Sequence, residues 1–285
     1  MELCSAFFRH DTHFHSRSTF EERTFPRMTA LPDYSNLFCV KDKTVLVTGG
    51  TSGIGAMIAE GLRSQGAQVV VAGRKAASLE RARQLGLDVV QVDLSLDDAP
   101  RYLADDVSAR YGQLDVLINN AGATWGAPLA DFPETGWDKV IDLNVRVPFF
   151  LTQALLPALA RGASAADPSR VIMIGSIDGG LRVPETPSYS YSASKAAVHQ
   201  LTRHLARDLG ASNITVNAIA PGPFESRMMD AILNARGDHI AALSPLGRIG
   251  RPDDVVGAAT FLSSRAGAYL TGAIIPVDGG IATTV

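Results

Sequence analysis

In Tyr191-Ser192-Ala193-Ser194-Lys195 a phenol and an ammonium stand four residues apart. On a helix that spacing puts both on one face, one turn from each other. A tyrosine with the ordinary pKa of about 10 is a poor proton carrier at neutral pH. An ammonium at contact range stabilises the phenolate by up to about 4 kcal/mol at an effective dielectric near 20, which brings the pKa down to roughly 7–8. Such a phenol protonates a nascent alkoxide in one direction and deprotonates an alcohol in the other, worth about 10²- to 10⁴-fold in rate. Tyr189 is the neighbouring rival, but its i+4 partner is Ala193, so it reads as a wall or packing residue.

A second group of residues is suited to phosphate. Thr48-Gly49-Gly50-Thr51-Ser52-Gly53-Ile54-Gly55 follows an apolar run and leads into a helical pattern. Glycines there let the backbone approach a pyrophosphate, and the helix start offers free N–H groups and partial positive charge. The generic G-x-G-x-x-G, read from Gly53, meets Gly55 and then Ile58, two places of three, so a tight βα corner is the other reading. Ser52 is followed by Gly53 and Ile54, which breaks G-x-S-x-G and excludes a nucleophile elbow. About twenty residues on, Val71-Ala72-Gly73-Arg74-Lys75 occupies the place where dinucleotide-binding domains read the adenosine ribose, with an acid for a 2′-hydroxyl or an arginine for a 2′-phosphate. The acid is missing, Arg74 suits a phosphate and Gly73 leaves it room, which favours NADP(H) over NAD(H). A surface arginine in a loop is the plain alternative. Asp93 is suited to accept from an adenine amine or to cap its own loop.

These residues need elements to position them. Short β-branched runs at 44–48, 68–72, 89–92, 116–119, 170–174, 215–219 and 273–277 read as seven strands bounded by Gly, Asn, Asp or Pro. Helical patterns at 54–65, 76–85, 99–111, 136–160, 192–209 and 252–262 alternate with them. Strands apolar throughout, alternating with helices, predict an α/β fold: a Rossmann-like doubly wound domain whose seven-stranded parallel sheet has helices on both faces. Ligands of such sheets bind at the carboxyl ends of the strands. The glycine turn, Asn119-Asn120-Ala121-Gly122, Ser176, and Pro221-Gly222 all fall there.

In that order, with Tyr191 and Lys195 and the closing Val277-Asp278-Gly279-Gly280, the chain resembles the short-chain dehydrogenase/reductase superfamily in its compact single-domain branch, over residues 38–285. The resemblance implies an NADP(H)-dependent oxidoreductase acting on a small-molecule carbonyl or alcohol. Tyr191 would carry the proton, Ser176 hydrogen-bond the substrate oxygen, Lys195 hold the nicotinamide ribose, and Asn144 hold a water that extends a proton relay to Lys195. Cofactor contacts would run through Gly49, Thr51, Ser52, Gly53, Ile54, Gly55, Arg74, Asp93, Leu94, Asn120, Ala121, Gly122, Tyr191, Lys195, Pro221, Gly222, Phe224 and Ser226. Two departures stand out. Ser52 sits where many NADP-dependent relatives carry a second basic residue, and the interval from Ser176 to Tyr191 is about two residues longer than the commonest family spacing.

Within the superfamily, the wording around Asn119–Gly126, Gly136–Val140 and Ile219–Met228 resembles 3-oxoacyl reductases, particularly the rhamnolipid-synthesis type. That implies a β-keto thioester, with an acyl carrier as the partner that presents it. Trp125, Phe224, Met228, Met229 and Ile232 would form an apolar substrate wall or pack a lid helix. Sugar-type polyols and polycyclic ketones are the other substrate classes, and a nucleotide-binding regulator is the non-enzymatic alternative. A sugar-nucleotide epimerase fits poorly, because its glycine spacing differs and too little chain follows the sheet for a separate substrate domain. The resemblance also implies a homotetramer or homodimer packed through helices 136–160 and 192–209.

Composition narrows the remaining classes. The chain has 285 residues, 46% hydrophobic and 19% charged, which is the make-up of an ordinary globule with a sizeable core. A net charge of −3 without a basic run argues against nucleic-acid binding. Cys4 and Cys39 form neither a disulfide framework nor a zinc spacing, so a reducing, cytoplasmic setting is expected. Purely apolar runs such as 273–277 fall far short of the roughly 18 residues a membrane span needs. Residues 1–37 lack helical or alternating period and read as an extension outside the fold, without the apolar stretch of a secretory signal. Arg9, Arg17, Arg23 and Arg27 leave a mitochondrial presequence open, against Asp11, Glu21 and Glu22, and Met28 offers an alternative start. Asp11-x-His13-x-His15 has the donors for adventitious metal binding, with a plain tail as the alternative; no metal is expected in the site.

Overall fold

The computed structural model describes residues 33–225 and 230–284, with side chains described outside 230–236. The expectations for residues 1–32, the Asp11-His13-His15 group among them, lie outside the described residues.

Seven strands form one sheet: β1 (Thr44–Thr48), β2 (Gln68–Gly73), β3 (Asp88–Gln91), β4 (Val116–Asn119), β5 (Ser169–Ile174), β6 (Ile214–Pro221) and β7 (Ile274–Val277). All neighbours pair in parallel, in the order β3-β2-β1-β4-β5-β6-β7. The sheet is doubly wound as predicted. Strands β1, β4, β5 and β6 are buried at every position, which is why they read as unbroken apolar runs instead of alternating ones.

The helices are α1 (Gly53–Ser64), α2 (Ala76–Gln84), α3 (Ala99–Tyr111), α4 (Glu134–Ile141), α5 (Val147–Gly162), α6 (Tyr189–Leu209), α7 (Asp230–Leu243) and α8 (Pro252–Ser263). On one face Ile58, Ala59 and Leu62 of α1 and Val255, Ala259 and Leu262 of α8 pack with Val45, Val47, Ile118 and Ile172 of the sheet. On the other, Leu103 and Val107 of α3, Leu151, Leu155 and Leu159 of α5 and Val198 and Ala206 of α6 cover Leu46, Leu117, Val171 and Val216. Alternation of the strand side chains between these two cores fixes the register of the sheet, because a slip of one residue exchanges the faces.

Three differences from the sequence reading bear on the site. Helix α6 starts at Tyr189 and not at 192, so Tyr191 lies inside its first turn. The single helix expected over 136–160 is instead α4 and α5 joined by a π-helical turn, Asp142–Arg146. One extra residue in that turn leaves backbone groups out of the regular ladder, a feature concentrated at functional sites. Helix α7, of fourteen residues, falls where the sequence reading places no helical pattern.

The continuous stretch Glu134–Gly162 also corrects the reading that nothing is long and apolar enough to cross a membrane. It has 29 residues and contains an 18-residue window with a mean hydropathy of 1.3, enough by length and composition alone. Counting only unbroken apolar runs missed it, because Asp142 and Arg146 interrupt the run. Its Leu151, Leu155 and Leu159 are fully buried against the sheet and α3, which is the position of a sheet-covering helix.

Candidate active site

A cleft of about 570 Å³ runs along the carboxyl ends of the strands. Its floor at one end is the turn after β1, where Gly49 takes φ +64° and Gly53 φ +55°, left-handed values that favour glycine. This turn lies against the one after β4. The Asn120 amide donates to the carbonyls of Thr48 at 2.8 Å and Gly49 at 3.3 Å, while the backbone N–H groups of Asn120 and Ala121 both donate to Thr48 Oγ1 at 3.0 Å. Asn120, expected among the cofactor contacts, therefore lines the cleft and also ties the two turns together. Ser52 stands at the N-cap of α1 without a side-chain cap bond, which leaves the positive end of the helix for an anion.

A Cβ on Gly55 would come 2.2 Å from Asn120 Nδ2 and 2.7 Å from the Gly49 carbonyl oxygen. Gly55→Ala is expected to destabilise the chain by about 1–3 kcal/mol, the usual cost of overpacking. Thermal unfolding should show a melting temperature several degrees lower; an unchanged melt would mean that Asn120 moves aside freely.

Arg74 follows β2 with its side chain 63% exposed and its Nη1 3.5 Å from Asp93 Oδ2. Asp93 Oδ1 accepts from Ser95 N at 3.0 Å and Ser95 Oγ at 2.7 Å. Burial works to raise the Asp93 pKa, but the bonds from Ser95 and the nearby Arg74 outweigh it and hold the carboxyl below its ordinary range. Asp93 thus orients the arginine as well as bordering the cleft. Lys75 and Ser78, which sequence reasoning did not single out, line the same end, and Thr51, Ile54 and Leu94 complete it.

At the other end Ser176, Tyr191 and Lys195 come together. Lys195 is 6% exposed, and its Nζ donates to the Ile174 carbonyl at 2.6 Å and lies 5.7 Å from the centroid of the Tyr191 ring. Burial lowers its pKa to about 8. The half-buried Tyr191 departs from the expectation of an acidified phenol, because its pKa is pushed up to about 12. Burial is the main cause and the Asp178 carboxylate adds to it, while a hydrogen bond with Ser176 works the other way. The reason is geometric: the ammonium addresses the ring face and the Ile174 carbonyl, so its charge does little for the phenol oxygen. Both groups keep their protons at neutral pH.

Ser176 is buried, and its Oγ accepts from the Asp178 N–H at 3.1 Å, which leaves its own hydrogen to donate. Asp178 in turn takes Arg182 Nε at 3.1 Å. Asn144, buried in the π-helical turn, accepts from Ala123 N at 2.7 Å and donates to Ala123 O at 3.0 Å and Ser194 Oγ at 2.9 Å. Its direct partners are these two residues and not Lys195. Ser194 Oγ donates to the Tyr191 carbonyl at 2.7 Å. Sequence reasoning passed over Ser194; its signal is a polar residue on the buried face of α6, one place before the lysine.

Leu143, Ile177, Pro184, Pro223, Ile240 and Leu243 supply an apolar wall, with Asp178, Arg182 and His239 as polar interruptions. Of the expected wall, Phe224 borders the cleft but is 2% exposed, its ring filling the space where a Gly250 Cβ would lie. Trp125 takes the packing alternative: its ring covers Gly136 and receives Lys139 Nζ 5.6 Å from its centroid, so it packs on α4. Ser226, Met228 and Met229 lie outside the described residues, as does the Ile232 side chain. Tyr189 packs edge-on against Phe132 at 5.7 Å, as the packing reading required. Pro221 and Gly222 also line the cleft, the Gly222 N–H donating to Val277 O at 3.0 Å. Among the described residues no group of three or more acidic, His or Cys side chains gathers to hold a metal. The donors present fit a dinucleotide: cationic side chains and a helix start for phosphates at one end, and Lys195 beside a backbone-lined shelf for a ribose at the other.

Residues 49–282 match the family described as enoyl-(acyl carrier protein) reductase. The chain is 44% identical over 250 residues to the rhamnolipids biosynthesis 3-oxoacyl-[acyl-carrier-protein] reductase of Pseudomonas aeruginosa, covering 85% of this chain and 97% of the relative. The chain belongs to the short-chain dehydrogenase/reductase superfamily. As a short-chain dehydrogenase/reductase it is an oxidoreductase, and its relatives divide by substrate. Gluconate 5-dehydrogenase of Gluconobacter oxydans is 35% identical over 263 residues, covering 88% of this chain and 99% of the relative. Among solved structures, the Pseudomonas aeruginosa RhlG/NADP active-site complex has a TM-score of 0.83 at 43% identity, covering 86% of this chain and 98% of that one.

Proposed function

We propose that the chain is an NADPH-dependent reductase that converts a ketone to a secondary alcohol, with a 3-oxoacyl thioester as its substrate class. The observation that carries the reading is the convergence of Ser176, Tyr191 and Lys195 at one end of a cleft whose other end holds Arg74. NADP(H) is the cofactor, and when bound it supplies or accepts the hydride.

The protein's own residues do the rest. Ser176, its oxygen already accepting from Asp178 N, donates its hydrogen to the substrate carbonyl and fixes it beside Tyr191. Tyr191 holds its proton at neutral pH and releases it to the carbonyl oxygen as negative charge develops there. A phenol that keeps its proton at neutral pH suits transfer in the reductive direction, because it is a stronger acid than the product alcohol. Lys195, cationic below about pH 8, is held by its bond to the Ile174 carbonyl at the end of the cleft where the nicotinamide ribose would lie. Asn144 holds the turn at 120–123 against α6 through Ala123 and Ser194, and thereby the relative setting of cofactor floor and tyrosine. The reading takes 38–285 as the catalytic domain and 1–37 as an extension, in a cytoplasmic homotetramer or homodimer. The exposed Phe149 and Phe150 on α5 support such packing.

The apolar wall of Ile177, Ile240 and Leu243 favours an acyl chain over a polyol, and 44% identity to a 3-oxoacyl reductase against 35% to a gluconate dehydrogenase points the same way. The test is NADPH oxidation followed at 340 nm with an acetoacetyl thioester, an enoyl thioester, 5-ketogluconate and a polycyclic ketone. Turnover on the acetoacetyl thioester at least tenfold above the others is expected. Preference for 5-ketogluconate would replace the acyl reading with a sugar-acid one, and preference for the enoyl thioester would replace carbonyl reduction with alkene reduction.

A further inference from the structure

His199 is a buried titratable group that the reaction just described leaves unused. It lies on α6 four residues after Lys195 and eight after Tyr191, so the three occupy one face of that helix on successive turns. It is 4% exposed, and its Nε2 is a buried nitrogen without a hydrogen-bond partner among the described residues. A buried imidazole with an orphan nitrogen costs stability compared with a leucine in the same place. Something about its shape or its other nitrogen has to offset that cost.

What lies over the ring is the turn that carries Ser176. A Cβ on Gly175 would come 2.4 Å from His199 Nε2, and a Cβ on Gly179 would come 2.9 Å from His199 Cε1 and 2.8 Å from the Lys195 carbonyl carbon. Both glycines flanking the serine turn are therefore pressed onto the imidazole and the helix backbone beneath it. The imidazole also hydrogen-bonds the Gly179 backbone, which raises its affinity for a proton, but burial dominates and leaves it neutral, with a pKa lowered to about 4. From above, the turn is closed by Gly179 N donating to Ser176 O at 3.0 Å and by Asp178 N donating to Ser176 Oγ at 3.1 Å.

We propose that His199 is a positioning residue for Ser176: its ring sets the height of the 175–179 turn above α6, and its bond to Gly179 fixes the direction of the serine hydroxyl toward Tyr191. This rests on the proposed role of Ser176 as the donor to the substrate carbonyl. The helix thereby carries the proton donor and its cation and also the support for the residue that holds the substrate, so all three share one rigid frame. A shorter or apolar side chain at 199 lets the turn settle or tilt. Misplacement by about 1 Å at a reacting centre costs up to about 10²-fold.

The test is a double-mutant cycle on kcat for acetoacetyl-thioester reduction, with KM for NADPH and thermal melts recorded for each protein. H199L is expected to lose about 10- to 100-fold in kcat while KM for NADPH stays within about twofold, and H199Q, which restores an N–H donor, to recover most of that loss. In an S176A background the same H199L change should cost about twofold or less, because its effect passes through the serine. An equal loss with and without Ser176, or a rise in KM for NADPH matching the fall in kcat, overturns the proposal and leaves His199 as core packing. If H199L does not fold, H199N takes its place in the cycle with the same readings. If S176A alone leaves kcat unchanged, it is the assignment of Ser176 that fails, a result distinct from additivity.

Discussion

Tyr191→Phe is expected to lower the rate of carbonyl reduction by about 10²- to 10⁴-fold, the range supplied by a positioned general acid. The substitution deletes one oxygen and nothing else from the cleft, since the ring remains to fill its place beside Lys195. Lys195 keeps its bond to the Ile174 carbonyl, and the cofactor floor, tied together by Asn120 and Thr48, is built from other elements. Binding of NADPH, followed by fluorescence titration, should therefore stay within about twofold of the parent. The separation of the two readouts is the point. Reduction at the parental rate would remove Tyr191 from the chemistry and pass the proton to another group, whereas loss of both turnover and binding would mean that the phenol organises the cleft.

Arg74→Ala should weaken NADPH binding by about 10- to 150-fold and leave NADH nearly untouched, corresponding to the roughly 1.5–3 kcal/mol of a hydrogen bond to a charged group. Arg74 suits this role because its side chain is largely exposed and its side-chain partner Asp93 is at the long distance of 3.5 Å. A 2′-phosphate competes for the guanidinium with better geometry than that carboxylate. The check is KM for each cofactor at saturating substrate. Equal losses for NADPH and NADH would move the discrimination elsewhere, to Lys75 and Ser78 at the same end of the cleft.

How much of this was legible in the sequence depends on whether the deciding interaction is local. The central strands were readable because they are covered on both faces, so β1 is apolar or small throughout and β5 departs from that only at Arg170. Tyr191 and Lys195 were readable because helix periodicity alone puts them on one face. The π-helical turn at Asp142–Arg146 was not, since one additional residue barely alters an apolar pattern that runs on to Gly162. The choice between wall and packing at Trp125 stayed open for a different reason: it covers a glycine eleven residues later, and a single sequence does not say which apolar side chains find such a seat. The direction of the Tyr191 shift was also out of reach. Spacing predicts proximity to an ammonium, but burial and a carboxylate from the 175–182 turn decide the sign.

The order of the strands has a further consequence, for how the chain reaches this state. Chain order and spatial order part company at one seam, where β1 sits between β2 and β4. Thr48 and Asn120, joined across that seam, are 72 residues apart in the chain. Each side of the seam is a set of βα units able to begin assembling by itself, but the cleft exists only once the two sides have met. Non-local parallel pairing of this kind is slow. A dinucleotide lying along the strand ends bridges both sides and recognises only the finished sheet, so at about 100 times its dissociation constant it adds about 2.7 kcal/mol to the native state. The cofactor of this chain is in that sense a clasp on its folding, and the pool of NADP(H) around it sets how long the closed seam lasts.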